Sequence, residues 1–444
     1  MKKLAITCVV MLYSVISMAG NVHGYWKGEV MTLPIVFHIF EKDGEMLATI
    51  SSPAQGATDI PCEMVTVKGD SVEIKMLRLN ASYKGVLSPD ENSIKGQFKQ
   101  GVEVPLVLTR TTAESAMLYR PQEPKPPFVY RQEEVTFNHG EISLAGTLTM
   151  PSWGRNFPAV VLVSGSGAQN RDEELFGHKP FAVIADFLTR AGIAVLRYDD
   201  RGVGGSSAGS ADDTTLDFAQ DALAAVDYLK TRGEIDSKNI GIIGHSEGGT
   251  IAVICAAMRP DDVAFIVSLA GAMVKGRDVM VQQNCLLAEM SGNPLNEEQK
   301  HEVETIFATI DSINEPDRLR DALKTLMASH GEARIEQSLK VMTSPWYMAF
   351  VKFDPSTHLA QVKCPFLALN GEWDVQVDAT LNLEAVKRLA PSATVKSYKK
   401  MNHLFQEISN FAQSMSYGNI SQTISPIVLD DIATWVVDEV RKSR

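Results

Sequence analysis

The pentapeptide Gly244-His245-Ser246-Glu247-Gly248 lies between an apolar strand pattern, Ile240–Gly244, and a helical pattern, Gly248–Met258. No other stretch of the chain restricts its fold so tightly. A turn this sharp holds its central serine in a strained backbone conformation. Glycines two residues to either side let neighbouring backbone approach where a Cβ would clash. The serine hydroxyl is thereby exposed at a sheet edge, beside a helix N-terminus whose dipole favours developing negative charge.

The surroundings agree with that turn. Ala159–Val163, Ile193–Tyr198, Val263–Ala270, Pro365–Leu369 and Thr394–Tyr398 are apolar runs of strand length. Between them, Phe181–Arg190, the stripe Leu216, Ala219, Leu223, Val226 and Leu229, and Ile424–Val440 carry helical periodicity. Val135–Phe137 and Ile142–Met150 flank Asn138-His139-Gly140, a hairpin signal. The alternation predicts an α/β fold over residues 132–275 and 350–444, a mostly parallel sheet with helices on both faces. Residues 276–349 interrupt it with helices alone. Val303, Ile306, Phe307, Ile310 and Ile313 share one face, and Asn296 with Gln299 resembles a capping box. An all-helical insertion between two sheet strands reads as a cap.

Residues 24–110 read differently. Short alternating runs between turn signals predict a small antiparallel β-barrel or sandwich, opened by Tyr25 and Trp26. A linker over residues 111–131 follows, where Pro121, Pro124, Pro126 and Pro127 crowd together. At the start, Lys2 and Lys3 precede a short apolar run, and Ser17-Met18-Ala19 offers small residues at a cleavage site. Residues 1–19 therefore read as a secretory signal peptide, and the chain as periplasmic or extracellular. The apolar run is shorter than the ~20 residues a membrane span needs, so no stable membrane insertion is expected. Cys62, Cys255, Cys285 and Cys364 show no metal-ligand spacing, and sequence does not say whether any of them pair. With 42 Lys+Arg against 54 Asp+Glu, the chain lacks the cationic excess that nucleic-acid binding requires.

A serine hydroxyl needs a base, and the base needs an orienting carboxylate. Of the nine histidines, His403 lies just after the last predicted strand. Strand Pro365–Leu369 ends in Asn370-Gly371-Glu372-Trp373-Asp374. Asp374 is the favoured carboxylate, with Glu372 and then Asp378 as competitors. An oxyanion needs two preset N–H donors. One falls to Glu247, next after the serine. The other falls to the loop Ser164-Gly165-Ser166-Gly167, with Ser166 first and Gly167 as the alternative. That loop has no Lys-Ser/Thr after its glycines, which disfavours a nucleotide. Asp199-Asp200-Arg201-Gly202-Val203-Gly204 reads as a structural turn. Trp346 and Tyr347, near the cap's exit, are candidate substrate-binding residues.

The order Ser246, Asp374, His403, with the elbow, the Ser164–Gly167 loop and the Asp199–Gly204 turn, resembles the α/β-hydrolase superfamily. The likeness is closest to secreted bacterial esterases and serine-peptidase-like hydrolases with a helical cap and an N-terminal β domain. Many relatives carry His-Gly where this chain has Ser164-Gly165. The resemblance implies a carboxylesterase acting on a small-molecule ester through an acyl-enzyme, with no metal or organic cofactor. A peptidase or amidase would use the same triad. A reading of another class gives the β domain an envelope- or glycan-binding role through exposed aromatics, which weakens if Trp26 is buried. Acyl and alcohol specificity and oligomeric state are not legible.

Overall fold

The computed structural model describes residues 21–30, 33–52, 55, 57–112, 120–329 and 331–443. The predicted signal peptide, 1–19, lies outside them, as do residues 113–119 of the predicted linker. The chain divides into two compact units between Tyr119 and Arg120.

The first unit is one antiparallel sheet, not a sandwich. Its strands are β1 (Gly24–Val30), β2 (Leu33–Lys42), β3 (Glu45–Ser52), β4 (Ala57–Cys62), β5 (Met64–Lys68), β6 (Ser71–Met76), β7 (Ala81–Leu87), β8 (Ser93–Gln100) and β9 (Val102–Thr111). They lie in the order β4-β3-β2-β1-β9-β8-β7-β6-β5. The two edge strands, β4 and β5, are therefore joined by Glu63 alone. Edges of a nine-stranded sheet meet in this way only if the sheet curls into a near-closed barrel. Alternate residues fill its interior, among them Phe37, Ile39, Ile74, Tyr83, Ile94 and Leu108. Trp26 is wholly buried there, and its indole N–H donates to the carbonyl of Val22 at 2.8 Å. The tryptophan is a core plug, which removes the observation a glycan platform would need.

The second unit carries an eight-stranded sheet. It comprises β10 (Tyr130–His139), β11 (Ile142–Pro151), β12 (Phe157–Val163), β13 (Ala194–Tyr198), β14 (Ile235–His245), β15 (Ile266–Leu269), β16 (Phe366–Gly371) and β17 (Thr394–Tyr398). The order is β10-β11-β13-β12-β14-β15-β16-β17. β10, β11 and β13 pair antiparallel, and every pair from β13–β12 to β16–β17 is parallel. The continuous apolar run of β12 follows from burial on both faces. Ala159, Val161 and Val163 pack with helices α2 (Thr215–Lys230), α3 (Glu247–Met258) and α10 (Ala379–Leu389). Val160 and Leu162 pack with α1 (Pro180–Arg190) and α11 (Pro426–Ser443). β13 and β14 flank β12 on opposite sides, so connections from the sheet diverge there. Ligands bind at such a divergence, outside the strands' carboxyl ends.

The insertion between β15 and β16 is helical throughout its described residues: α4 (Gly276–Met290), α5 (Glu297–Ser312), α6 (Pro316–Leu326), α7 (Glu332–Met342) and α8 (Pro345–Lys352), before the short α9 (Ser356–Leu359). It has its own core, including Phe307, Ile310, Leu319, Leu323, Leu339 and Val351. The Asn296–Gln299 capping box forms at 2.9 and 3.0 Å. Beyond Tyr119, the proline-rich segment is no free spacer. Arg120 is buried and donates to the carbonyls of Gly177 at 3.1 Å and Gly418 at 2.9 Å, and to Ile420. Gln122 accepts from the N–H of Thr423 at 2.6 Å. The four cysteines among the described residues are unpaired.

Truncation of the barrel's central plug should be costly. Trp26→Ala should lower the stability of the first unit by about 3–5 kcal/mol, the usual cost of emptying a buried tryptophan site, read by urea unfolding. A loss under 1 kcal/mol would contradict the core assignment.

Candidate active site

Ser246 follows β14 directly and sits at φ 54°, ψ −120°, a region that side chains rarely occupy. The turn is over-determined by its neighbours. The Ser246 N–H donates to Leu269 at 2.8 Å, and its carbonyl accepts from Gly249 at 2.9 Å. A Cβ on Gly244 would lie 1.9 Å from the Gly248 carbonyl oxygen. One on Gly248 would lie 2.0 Å from that of Val163. Only glycine fits at either position.

His403 is delivered by the loop after β17. Asn402 shapes that loop by accepting from the N–H groups of Leu404 and Gln406 at 3.1 and 3.0 Å. His403 Nδ1 meets Asp374 Oδ2 at 2.6 Å. The other oxygen of Asp374 accepts from the N–H groups of Gln376 and Val377 at 2.8 and 2.9 Å. Both side chains are buried. The competing carboxylates are engaged elsewhere. Glu372 accepts from the Ser397 hydroxyl at 2.9 Å, and Asp378 caps α10 through Leu381 N–H at 2.6 Å.

Ser246 and His403 line one cavity of about 360 Å³. Ser166 lines it too, whereas Gly167 faces an adjoining cavity of about 150 Å³. Gly165 N–H is committed to Glu173 Oε1 at 2.8 Å, which leaves Ser166 as the loop residue best placed to donate. Trp346 borders both cavities and Tyr347 the larger. Sequence reasoning missed Phe176, Met280, Phe350 and Tyr417, which belong to the larger cavity's apolar wall. Met280 and Phe350 lie on cap helices, where apolar periodicity serves the cap core and the cavity alike. Phe176 comes from a loop and Tyr417 from a single 3-10 turn, Tyr417–Asn419, neither with apolar periodicity. His245 also borders the cavity, but both its ring nitrogens face acceptors, Glu173 Oε1 at 2.9 Å and the His403 carbonyl at 3.1 Å.

Buried carboxylates brace the serine's surroundings. Glu247 accepts from the Thr215 hydroxyl at 2.5 Å and from the Trp346 indole at 3.0 Å, which ties the elbow to the cap. Its burial pushes the carboxyl up, with those hydrogen bonds opposing. Asp199 binds the Arg171 guanidinium at 2.7 Å and accepts from Gly205 N–H at 3.0 Å. Asp200 accepts from the Ser164 hydroxyl and the Gln169 N–H, each at 2.9 Å. The turn thus holds the donor loop and is structural. Burial pushes the Asp200 carboxyl up to about 7, against those two hydrogen bonds, and the charges of Glu173 and Glu247 add to the rise.

The family model described as serine aminopeptidase, S33, matches residues 178–407. The chain is 26% identical over 323 residues to esterase EstD of Thermotoga maritima, covering 70% of this chain and 68% of that protein. Est1E of Butyrivibrio proteoclasticus, solved with ferulic acid, is 16% identical, with 69% of this chain and 99% of that one covered, at a TM-score of 0.44. A hypothetical protein from Pseudomonas aeruginosa is 16% identical, with 74% and 98% covered, at 0.48.

Asp200 has a stability signature of definite sign. The folded state holds its proton more tightly than the unfolded chain does. Its contribution therefore falls as pH rises from about 4 to about 7 and stays lost above. Asp200→Asn should melt above wild type beyond pH 7, with the gap narrowing toward pH 4, in thermal scans. A gap independent of pH would contradict the assignment.

Proposed function

Because the chain belongs to the serine aminopeptidase S33 family of α/β-hydrolases, we propose that it hydrolyses small-molecule carboxylic esters through an acyl-enzyme on Ser246. The observation that carries this reading is the short His403–Asp374 contact beside a strained Ser246 in one cavity. Asp374 holds the Nδ1–H of His403, which leaves Nε2 to take the Ser246 proton. Ser246 Oγ then attacks the ester carbonyl. The N–H groups of Glu247 and Ser166 receive the oxyanion. His403 returns the proton to the departing alcohol, then activates water to release the acid. No step calls on a metal or an organic cofactor.

The family description itself favours a peptidase as the second reading. The lining of the Ser246 cavity favours the ester. Among its described residues the only carboxylate is Glu173, already engaged by Gly165 and His245. Glu173 is fully buried, so an α-ammonium group would find no exposed counter-charge there, whereas a neutral ester needs none. The esterase EstD relative supports the same choice. The larger cavity's aromatic wall suits an apolar acyl or alcohol group. Residues 1–19 support export.

Ser246→Ala should abolish turnover of a short acyl-aryl ester, and His403→Ala should do the same. Asp374→Asn should cost on the order of 10⁴ in kcat, while Glu372→Gln should leave it nearly unchanged. Equal turnover by Ser246→Ala would end the proposal. Faster turnover of an aminoacyl-arylamide than of the acyl ester would transfer it to the peptidase. Expression in an exporting bacterial host should yield a chain beginning at Gly20 by N-terminal sequencing.

A further inference from the structure

Glu173 and His245 take no part in the steps above, yet they touch three segments that do. Glu173 is fully buried and sits at φ 49°. Its Oε1 accepts from Gly165 N–H at 2.8 Å and meets His245 Nδ1 at 2.9 Å. His245 Nε2 meets the backbone carbonyl of His403 at 3.1 Å, and the two imidazole rings lie 4.7 Å apart. The donor loop, the nucleophile turn and the base loop therefore converge on one carboxylate and one imidazole.

Counting protons fixes how many hydrogens the pair shares. A backbone carbonyl only accepts, so Nε2 of His245 bears hydrogen. Glu173 Oε1 accepts from Gly165 N–H, and its contact with Nδ1 holds one more hydrogen, either on Nδ1 beside a carboxylate or on Oε1 as a carboxylic acid. The first arrangement makes His245 an imidazolium. Burial opposes that charge, but the Glu173 carboxylate outweighs it and lifts His245 above the usual histidine range. The cost of the arrangement is visible in Glu173. Its Oε2 is buried without a hydrogen-bond partner among the described residues, and its backbone occupies the left-handed region. A half-satisfied carboxylate on a strained residue persists where the surrounding structure over-determines it, and such residues cluster at functional sites.

We propose that Glu173 and His245 form a charged positioning pair that fixes the His403 loop, Ser246 and the Ser166 donor relative to one another. Both residues act through the backbone of others and not on the reacting atoms. The proposal rests on the reading of Ser246 and His403 as nucleophile and base.

The test uses the full chain with ¹⁵N-labelled histidine. Near neutral pH the spectrum should contain one histidine with both ring nitrogens protonated, its signals absent in His245→Asn. A neutral His245 would overturn the pair's charge, whatever the enzyme's substrate. Kinetics with a short acyl ester then test positioning. Glu173→Gln and His245→Asn should each lower kcat roughly 10- to 100-fold, as loss of an orienting partner does, with KM little changed. The double variant should be no worse than the poorer single variant. Multiplying losses, or a KM effect alone, would overturn joint action. Fluorophosphonate labelling of Ser246 should slow in parallel. If the variants fail to fold, the wild-type histidine spectrum still decides the charge. A wild-type chain that hydrolyses no ester would defeat the esterase reading and leave that spectrum standing.

Discussion

The close approach of backbone to backbone at the strand–helix turn is what the rest of the site depends on. Gly248 lies against the carbonyl of Val163, and Gly244 against that of Gly248. Two parallel strands and one helix are thereby held at a separation that excludes any side chain. Ser246 projects from this junction at a fixed height and angle. His403, Asp374 and Ser166 all come from loops, and each is useful only because it is held against that fixed point.

The holding is done largely by buried carboxylates, and their surroundings differ with their task. Asp374 sits among two N–H donors and an imidazole. Asp200 is braced by two hydrogen bonds, and burial pushes it up to about 7. Glu247 joins the nucleophile's own helix to the cap through Trp346. One residue type thus orients a base, steadies a loop and fastens a cap, according to how many donors reach it.

The sheet, the helical insertion and the meeting of Ser246 with His403 at one cavity were legible because each leaves a local trace. Apolar runs mark strands, periodicity marks helices, and glycine spacing marks the turn. The choice of Asp374 over Glu372 was readable only as a preference, since a single residue separates them and the loop's hydrogen bonds decide which one turns inward. Glu173 left no trace. It reaches His245 across 72 positions, from a loop whose composition resembles any polar surface segment. Arg120 was hidden for the same reason, because its partner Gly418 lies 298 residues away. A proline cluster announces extended chain but not what that chain packs against. Trp26 was ambiguous until its burial was known, because an aromatic on a strand serves a core and a ligand equally well.

The cap packs around its own apolar cluster and meets the nucleophile turn through the indole of Trp346. Side chains that shape the substrate cavity, such as Met280 and Phe350, stand on that independently packed body. Ser246 and His403 stand instead on the turn after β14 and the loop after β17. Selection can therefore redraw which molecules enter by altering cap residues, without disturbing the strained turn that holds Ser246. In such a protein, recognition is free to drift while chemistry stays fixed.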